Sequence, residues 1–480
     1  MKKIIYSLMA AATMLASCSD FTEMDQKGVN LLSNTDDLEL LLNQQFTIDY
    51  TDVSNLGGEL INTNMDMGAA MTAPNKVRNT YIQCFFDDSQ DLSNLATLTN
   101  NDVFYSNCYA YIGTVCNPLL NQLATVSGPE AKKNTLRAEA LAWRAYSHFL
   151  VLQKFAKAYN PATAASDRAV IYMTEDCNLV ELQSPKTVKE CLDLCLKDIN
   201  DAIALDALPI DAVASVRMNK PAAYAIKAHI CMAMQDYAGA QKAADAALAI
   251  NGNLHDYYSD AVQDTDANGS TFYYTLHDCI DSEEVYTAIP VISSLNFVSA
   301  EAQTEAEKGY AMIDLMYYDD VLQPVEDYGA QYGLPGWKCS RSVRVGNYWN
   351  ASGLSAPMMY LLKAEAQLRE NDIDNAMASL DILRKSRLPK ADFTFLQGAV
   401  ITKDDAIARI KQANVGENLW GPWLFIQRKR WNIDSEWKST ITHVIAGQTR
   451  TLSPESDLWV FPFPTRVLEA NPNLKNNTNK

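Results

Sequence analysis

Residues 219–250 carry the pattern that decides the fold, NKPAAYAIKAHICMAMQDYAGAQKAADAALAI. Apolar and small residues recur every three or four positions on both sides of Gln235-Asp236. This spacing places them on one face of an α-helix. The stretch therefore predicts two helices, 219–234 and 238–250, joined by a tight turn.

A second helix pair repeats the first at 355–370 and 374–386, with its break at Asn371-Asp372. Three positions recur 136 residues later: Tyr224, Ala228 and Ala240 are matched by Tyr360, Ala364 and Ala376. Small residues let paired helices approach closely, and the offset equals four repeats of about 34 residues, the length of a tetratricopeptide repeat. We expect scattered repeats of this kind; a generic antiparallel helical hairpin is the alternative.

Working outward, periodicity predicts further helices at about 101–126, 130–157, 186–206 and 404–413. Between the two helix pairs, the insertion at about 251–350 is rich in Tyr and Trp among Gly, Asn and Asp, with only short helical stretches. Loops that carry aromatic side chains are common places for recognition. The C-terminal region, 404–480, adds an aromatic stretch at 420–437 and then an extended tail with four prolines.

The N-terminal segment has the features of an export signal. Lys2 and Lys3 precede an uncharged, mostly apolar run over residues 4–16, which is shorter than the roughly 20 residues needed to span a bilayer. The following Leu-Ala-Ser-Cys18 has the order of a bacterial lipobox. We therefore expect a lipoprotein signal peptide at 1–17, lipidation of Cys18, a tether at 18–36 and a single domain at 37–480.

Composition excludes several classes of protein. With 48% hydrophobic and 20% charged residues the chain is globular, and a net charge of −18 argues against nucleic-acid binding. The remaining cysteines are scattered and odd in number, which does not indicate a disulfide framework. Cys191 and Cys195 share a helix spacing, but nearby residues do not complete a zinc site.

An ordered set of segments resembles the SusD/RagB family of outer-membrane lipoproteins of Bacteroidetes. Besides the lipobox, the matching pieces are the helices at 109–120, 136–146, 184–209, 217–237 and 362–366, and the ending at 458–474 with Phe-Pro-Phe-Pro and Asn-Pro-Asn-Leu. The family's acidic helix before the ending is matched only by 417–431, without its paired acids. This departure leaves the subfamily and the ligand open.

The resemblance implies a mostly α-helical fold with about four tetratricopeptide-like hairpins and a large irregular, loop-rich portion that binds the ligand. It also implies a lipid-anchored protein on the cell surface, without catalytic activity. Such a protein would bind an oligosaccharide, a polysaccharide or another nutrient, and would deliver it to a SusC-like TonB-dependent outer-membrane barrel. The repeat side would contact the barrel, and the irregular side would face the ligand.

Sugar binding requires flat apolar faces beside planar polar groups. Trp337 is the first choice, since Gly333 to Gly336 include a Gly-Pro turn that could hold the indole outward. The other candidate ligand-binding residues are Tyr332, Trp349, Tyr81, Asn64, Asp66 and Arg78. Because Trp and Tyr are commonly buried, packing in the core is the alternative for each aromatic.

A calcium site is a second hypothesis. Asp264, Asp266 and Asn268, followed by Gly269, have the order of the start of an EF-hand loop. Thr275 stands where that loop has its bidentate Glu, and Asp and Asn also form ordinary turns.

Catalytic motifs are missing from the sequence: it contains no His-Glu-x-x-His, Gly-x-Ser-x-Gly or phosphate-binding glycine loop. Glu283 and Glu284 are adjacent and point to different faces, and His148 and His229 lie in apolar helix patterns that favour structural packing. Two rivals to a nutrient binder remain. One is a lipid-anchored repeat scaffold for a peptide or envelope protein, and the other is a glycan-cleaving lipoprotein.

Overall fold

The computed structural model describes residues 32–46, 60–62, 102–178, 180–265, 271–275, 283–292, 296–315, 336, 338–340, 348–350, 352–419, 421–445 and 448–478. Helices dominate these residues, and the strands are short. Elements are numbered along the described chain. No helix within these ranges has an apolar stretch long enough to cross a membrane.

The first elements surround one long helix. They are α1 (Thr35–Leu42), β1 (Leu60–Asn62), α2 (Val103–Tyr111), a π-helical turn (Ile112–Cys116), α3 (Asn117–Gln122) and α4 (Glu130–Phe155). The helix predicted at 101–126 therefore contains a change of register, and Asn117 N donates to Ile112 O at its end. Pro118, which has no N–H to donate, follows directly. Along α4 almost every residue from Leu136 onward is buried, so this helix lies at the centre of the N-terminal core.

Three helices follow α4 and form the first hairpins: α5 (Val188–Ala204), α6 (Lys220–Ala233) and α7 (Tyr237–Ile250). A capping box between Thr187 and Glu190 begins α5, and the Asn219 side chain caps α6. Helix α5 packs on α4, and α7 packs on α6. Ala228 and Ala240 are fully buried, as expected where two helices approach closely.

The insertion is built from short elements: α8 (Tyr257–Asp260), β2 (Ala261–Thr265), β3 (Thr271–Thr275), β4 (Val285–Thr287), β5 (Pro290–Ile292), β6 (Asn296–Val298), α9 (Ala300–Glu305), α10 (Ala311–Asp314), β7 (Lys338–Ser340), β8 (Tyr348–Asn350) and β9 (Leu354–Ser355). All pairs are antiparallel: β2 with β3, β4 with β9, β5 with β8, and β1–β6–β7 in order. Strand β9, at the end of the insertion, pairs with β4, and Tyr286 OH of β4 donates to Asn251 O at the start of the insertion, so the insertion leaves and rejoins the helical body at one place.

The second hairpin follows directly as α11 (Ala356–Arg369) and α12 (Ile373–Arg387). Helix α11 packs on α7 as well as on α12. Lys363 Nζ lies 2.7 Å from Asp245 Oδ1, and the Tyr360 hydroxyl donates to Gly252 O at 3.1 Å. The two hairpins therefore stack as neighbours despite the insertion between them.

The C-terminal region returns to α4. It consists of α13 (Lys403–Glu417), α14 (Trp423–Trp431), β10 (Ile441–Ile445), β11 (Gln448–Leu452), a 3₁₀ turn (Asp457–Trp459) and α15 (Thr465–Ala470). Phe461 N donates to Lys154 O, and the Asn477 amide donates to Phe155 O and Ala169 O. The tail thus closes over the C-terminal end of α4.

The mostly helical fold predicted from the sequence is confirmed, including the helices of both pairs and their break points. The prediction of an extended tail was wrong in part, since a β-hairpin (β10–β11) and the short α15 lie within it. Helix α15 lies between Pro464 and Pro472 and has six residues, too few for its periodicity to be recognised.

Candidate functional site

Arg387, the last residue of α12, joins the insertion to the hairpins. Its side chain is fully buried. It donates to both carboxylate oxygens of Glu417 at 2.8 and 2.9 Å, to both of Glu284 at 2.9 and 3.1 Å, and to His255 O at 2.8 Å. Glu417 ends α13, whereas Glu284 and His255 belong to the insertion. The Arg387 guanidinium therefore connects the insertion to the ends of α12 and α13.

Two tyrosines complete this network. Tyr257 OH donates to Glu284 at 3.0 Å, and its ring centroid lies 4.9 Å from the Arg387 guanidinium. Tyr310 OH donates to Glu417 at 2.9 Å. Burial raises the pKa of Tyr310 well above its usual value, and Glu417 adds to the shift. Burial alone would lower the pKa of Arg387, but the two carboxylates hold it well above the ordinary value.

A buried ionic group of this kind is costly to desolvate and is stable only when its hydrogen bonds are satisfied. Here Arg387 bonds two carboxylates, which in turn accept from Tyr257 and Tyr310. The arrangement suits an anchor that fixes the base of the insertion. We call this group of five residues (Tyr257, Glu284, Tyr310, Arg387 and Glu417) the junction network.

A small cavity of about 60 Å³ lies beside the junction network. Its lining includes Asn350 and Asn418 as well as Trp423, whose Nε1 has no hydrogen-bond partner among the described residues. Asn350 Oδ1 accepts from Ile289 N at 2.9 Å and so ties β8 to the loop between β4 and β5. The volume suits ordered water and is far below that of a pocket for a sugar ring.

Among the predicted ligand-binding residues, the structure describes the position of Trp349. It lies in β8 opposite Val291 of β5, directly before the cavity-lining Asn350. The strand that carries Trp349 is therefore attached to the junction. The other predicted ligand and lipidation residues lie outside the described residues: Cys18, Asn64, Asp66, Arg78, Tyr81, Tyr332 and Trp337.

The predicted calcium residues are only partly described. Asp264 lies in β2 opposite Phe272 of β3, so the Asp-rich segment connects two paired strands, whereas an EF-hand loop connects two helices. Asp266 and Asn268 lie outside the described residues. The described part of the chain contains no cluster of three or more His, Cys, Asp or Glu side chains suited to a metal. Calcium binding at this turn stays a prediction.

Two larger pockets lie on the helical body. The first, of about 460 Å³, is a groove between α4 and α5 whose floor is the buried pair Arg144–Asp198. Arg144 also donates to Asn117 and Glu175, so four of its five N–H groups have a partner. The second, of about 350 Å³, lies under the C-terminal tail beside Lys429 and Asn477. We call it the tail pocket.

The prediction that His148 and His229 pack as structural residues is confirmed. The ionic residues of α4 are structural as well, since Glu139 binds Arg217 and Arg144 binds Asp198. His148 is buried between Arg144 O and Met173 N, and burial lowers its pKa to about 3. His229 is buried and stacks on Trp423, with ring centroids 3.9 Å apart.

Neither Arg387 nor the role of Glu284 could be predicted from the sequence. The adjacent acids do point to different sides, with Glu284 buried and Glu283 exposed. The contact of Glu284 with Arg387 spans 103 residues, and an ion pair leaves no periodic signal in a sequence. The only available hint is a basic residue at the very end of a helix.

Comparison with known proteins supports the assignment of the fold. Residues 29–232 match the SusD-like family model described as starch-binding and associating with the outer membrane. The chain is similar to a SusD superfamily protein from Bacteroides thetaiotaomicron (16% identity, TM-score 0.64, covering 93% of this chain and 100% of the other). It is also similar to a SusD-like protein from Bacteroides fragilis (16%, 0.66, 95% and 99%) and to a SusD-like carbohydrate-binding protein from the same species (14%, 0.65, 92% and 99%). No curated protein sequence matches the chain.

Proposed function

Because the fold is similar to that of SusD superfamily proteins and residues 29–232 match the SusD-like family model, we propose that the chain is a non-enzymatic binder of an oligosaccharide or polysaccharide at the cell surface. Lipidation of Cys18 would anchor it to the outer membrane, and a SusC-like TonB-dependent barrel would receive the bound nutrient. Tethering beside the barrel raises the local ligand concentration, so tight intrinsic affinity is not required.

The observation that carries the proposal is the attachment of an aromatic-rich insertion to a helical body through a buried ion pair and hydrogen bonds. Arg387 fixes one base of the insertion through Glu284, and Asn350 fixes the strand that carries Trp349. Rigid presentation of aromatic side chains lowers the entropic cost of binding a sugar. The insertion also contains Tyr332 and Trp337, which we propose as stacking residues because aromatic faces bind the C–H side of a pyranose ring.

Calorimetric titration of the full chain in mild detergent with a panel of glycans tests this function. We expect heat of binding without turnover of the glycan. Trp337→Ala should weaken binding roughly ten-fold, the effect of losing about 1.4 kcal/mol. Phe395→Ala is the matched control, since Phe395 is 65% exposed on the loop between α12 and α13, outside the insertion.

Three results would contradict the proposal in different ways. Hydrolysis of any glycan would point to an enzyme. A Trp337→Ala variant that binds as tightly as wild type would remove the proposed site. Absence of binding across the panel would shift the ligand class to peptides. For the partner, a large β-barrel should co-purify from detergent-solubilised outer membranes, and elution of the chain alone would count against the transporter.

A further inference from the structure

The tail pocket is a built cavity far along the chain from the insertion. Its wall combines the segment that follows α4, the end of α14, the loop before the 3₁₀ turn and the C-terminal tail. Its volume of about 350 Å³ falls within the usual range for small-molecule sites. The lining is mostly polar, with Trp459 as its aromatic wall.

Lys429 lies at the base of this pocket and is 3% exposed. Its Nζ donates to Gln153 O at 2.6 Å and to Ala156 O at 2.5 Å. These two bonds use two of the three positions around the nitrogen. Burial lowers the pKa of Lys429 to about 7, so near neutral pH the third position is either an N–H or a lone pair. A ligand group that can both donate and accept suits both states.

Asn477 supplies a second buried polar group. Its amide nitrogen donates to Phe155 O and Ala169 O at 2.8 Å. The side-chain oxygen is buried in the pocket wall and has no hydrogen-bond partner among the described residues. A buried acceptor without a partner is costly, typically about 1–3 kcal/mol. A hydroxyl donor from a ligand would satisfy it.

The charges around the pocket narrow the class of ligand. Lys157 and Lys429 are accompanied by the carboxylates of Asp167, Glu455 and Asp457, and Lys157 pairs with Asp167 at 3.4 Å. This balance disfavours phosphate or another anion. A neutral ligand with several hydroxyl groups fits the mixed donors and acceptors, and Trp459 offers an apolar wall.

We propose that the tail pocket binds a small polyhydroxylated molecule of monosaccharide or disaccharide size, at a site separate from the insertion. Ligand hydroxyls donate to Asn477 Oδ1 and bond to Lys429 Nζ. This second site does not depend on the proposed role of Trp337. It gives the chain two sugar-binding places, one on the insertion and one beneath its own C-terminal tail.

Calorimetry with methyl glucoside, maltose and myo-inositol tests the second site on the full chain in detergent. Wild type is compared with Trp337→Ala, with Ile433→Trp and with Ile382→Trp. Ile433 lines the tail pocket and is 36% exposed, so a larger side chain there blocks the pocket without entering the core. Ile382 on α12 is 49% exposed and is the matched control.

We expect a binding component that survives Trp337→Ala and Ile382→Trp, disappears in Ile433→Trp and weakens about ten-fold in Asn477→Ala. The second site is refuted if none of the three probes gives such a component, or if the component persists in Ile433→Trp. Loss of all sugar binding in Trp337→Ala would likewise overturn the tail pocket while leaving the proposed function intact. Binding that is lost in Ile433→Trp and unchanged in Trp337→Ala would support the tail pocket and would overturn the proposed site on the insertion.

Discussion

Gln235 and Asn371 occupy the same position in two helical hairpins and share a left-handed backbone, with φ of 62° and 64°. Each follows the end of the first helix of its hairpin. The next residue, Asp236 or Asp372, donates its N–H to Cys231 O or Gln367 O at 2.9 Å and caps the second helix with its side chain. Gln235 and Asn371 are 136 residues apart, like the matching side chains Tyr224 and Tyr360. The two hairpins therefore share backbone geometry as well as sequence, which strongly supports a structural repeat.

The left-handed conformation predicts the effect of glycine at these turns. The left-handed conformation costs a residue with a Cβ roughly 1–2 kcal/mol, and it costs Asn less because Asn tolerates this region. We expect Gln235→Gly to stabilise the protein by about 0.5–1 kcal/mol, after allowance for the flexibility of Gly in the unfolded chain. Asn371→Gly should change stability less. Urea midpoints of the two variants test this, and a larger gain at Asn371 would contradict it.

The hairpins could be predicted because helix packing repeats along the chain. Tyr224 and Tyr360 stand out by their offset, and Asn371-Asp372 is a break with recognisable turn chemistry. The pairing of strands was not predictable in the same way. Leu60 pairs with Val298 and Pro290 with Asn350, and such distant partners are set by the folded body rather than by local pattern.

The candidate site was predictable only as a region. Aromatic composition indicated the insertion, and the structure places Trp349 in a strand attached to the junction. The residues that hold that region, Arg387 and Glu417, end two different helices outside the insertion. Their approach to Glu284 follows from how α12 and α13 pack, which no spacing in the sequence shows.

The junction network predicts a local effect of removing its cation. Arg387→Met leaves Glu284 and Glu417 buried without a counter-charge, which we expect to cost about 3–5 kcal/mol. Hydrogen exchange should rise first in residues 284–289 and 311–315, because these segments are held to the hairpins there. Arg409→Met is the control, since Arg409 is exposed on α13 and donates to Gln412, away from the junction network. Equal exchange in both variants would argue against the anchor.

Glu365 predicts a loss of stability in acid. It is buried on α11 and accepts from Arg430 at 2.6 Å on both oxygens, and also from Arg369 and Trp431. Burial alone would raise its pKa, but Arg430 and Arg369 outweigh burial and lower the pKa to about 2. The folded pKa is below the ordinary value of 4.5, so the stabilisation is complete above about pH 4.5 and is lost as pH falls towards 2.

This carboxylate should therefore supply up to roughly 3 kcal/mol of stability at neutral pH. Wild type should lose that contribution between pH 4.5 and 2. Glu365→Gln should be less stable at pH 7 and should show a smaller decline over this interval. Unfolding free energies from urea titrations at a series of pH values provide the comparison. Parallel curves for the two proteins would show that Glu365 is not the responsible group.

Lys429 predicts a rise in stability with pH of the same sign, at neutral to alkaline pH. Burial lowers its pKa to about 7 from the ordinary 10.5. Between these values the unfolded chain binds a proton at this residue and the folded protein does not, so stability rises with pH. The slope approaches about 1.4 kcal/mol per pH unit above pH 7.

The variant Lys429→Met also loses bonds to Gln153 O and Ala156 O. The informative quantity is therefore the change of its unfolding free energy with pH, and not its stability at any one pH. From pH 7 to 9 wild type should gain roughly 2 kcal/mol relative to Lys429→Met, measured by urea unfolding, with Lys385→Met on the exposed side of α12 as the control. Equal slopes for all three proteins would mean that Lys429 remains protonated in the fold, and the ligand hydroxyl proposed for the tail pocket would then serve only as an acceptor at this nitrogen.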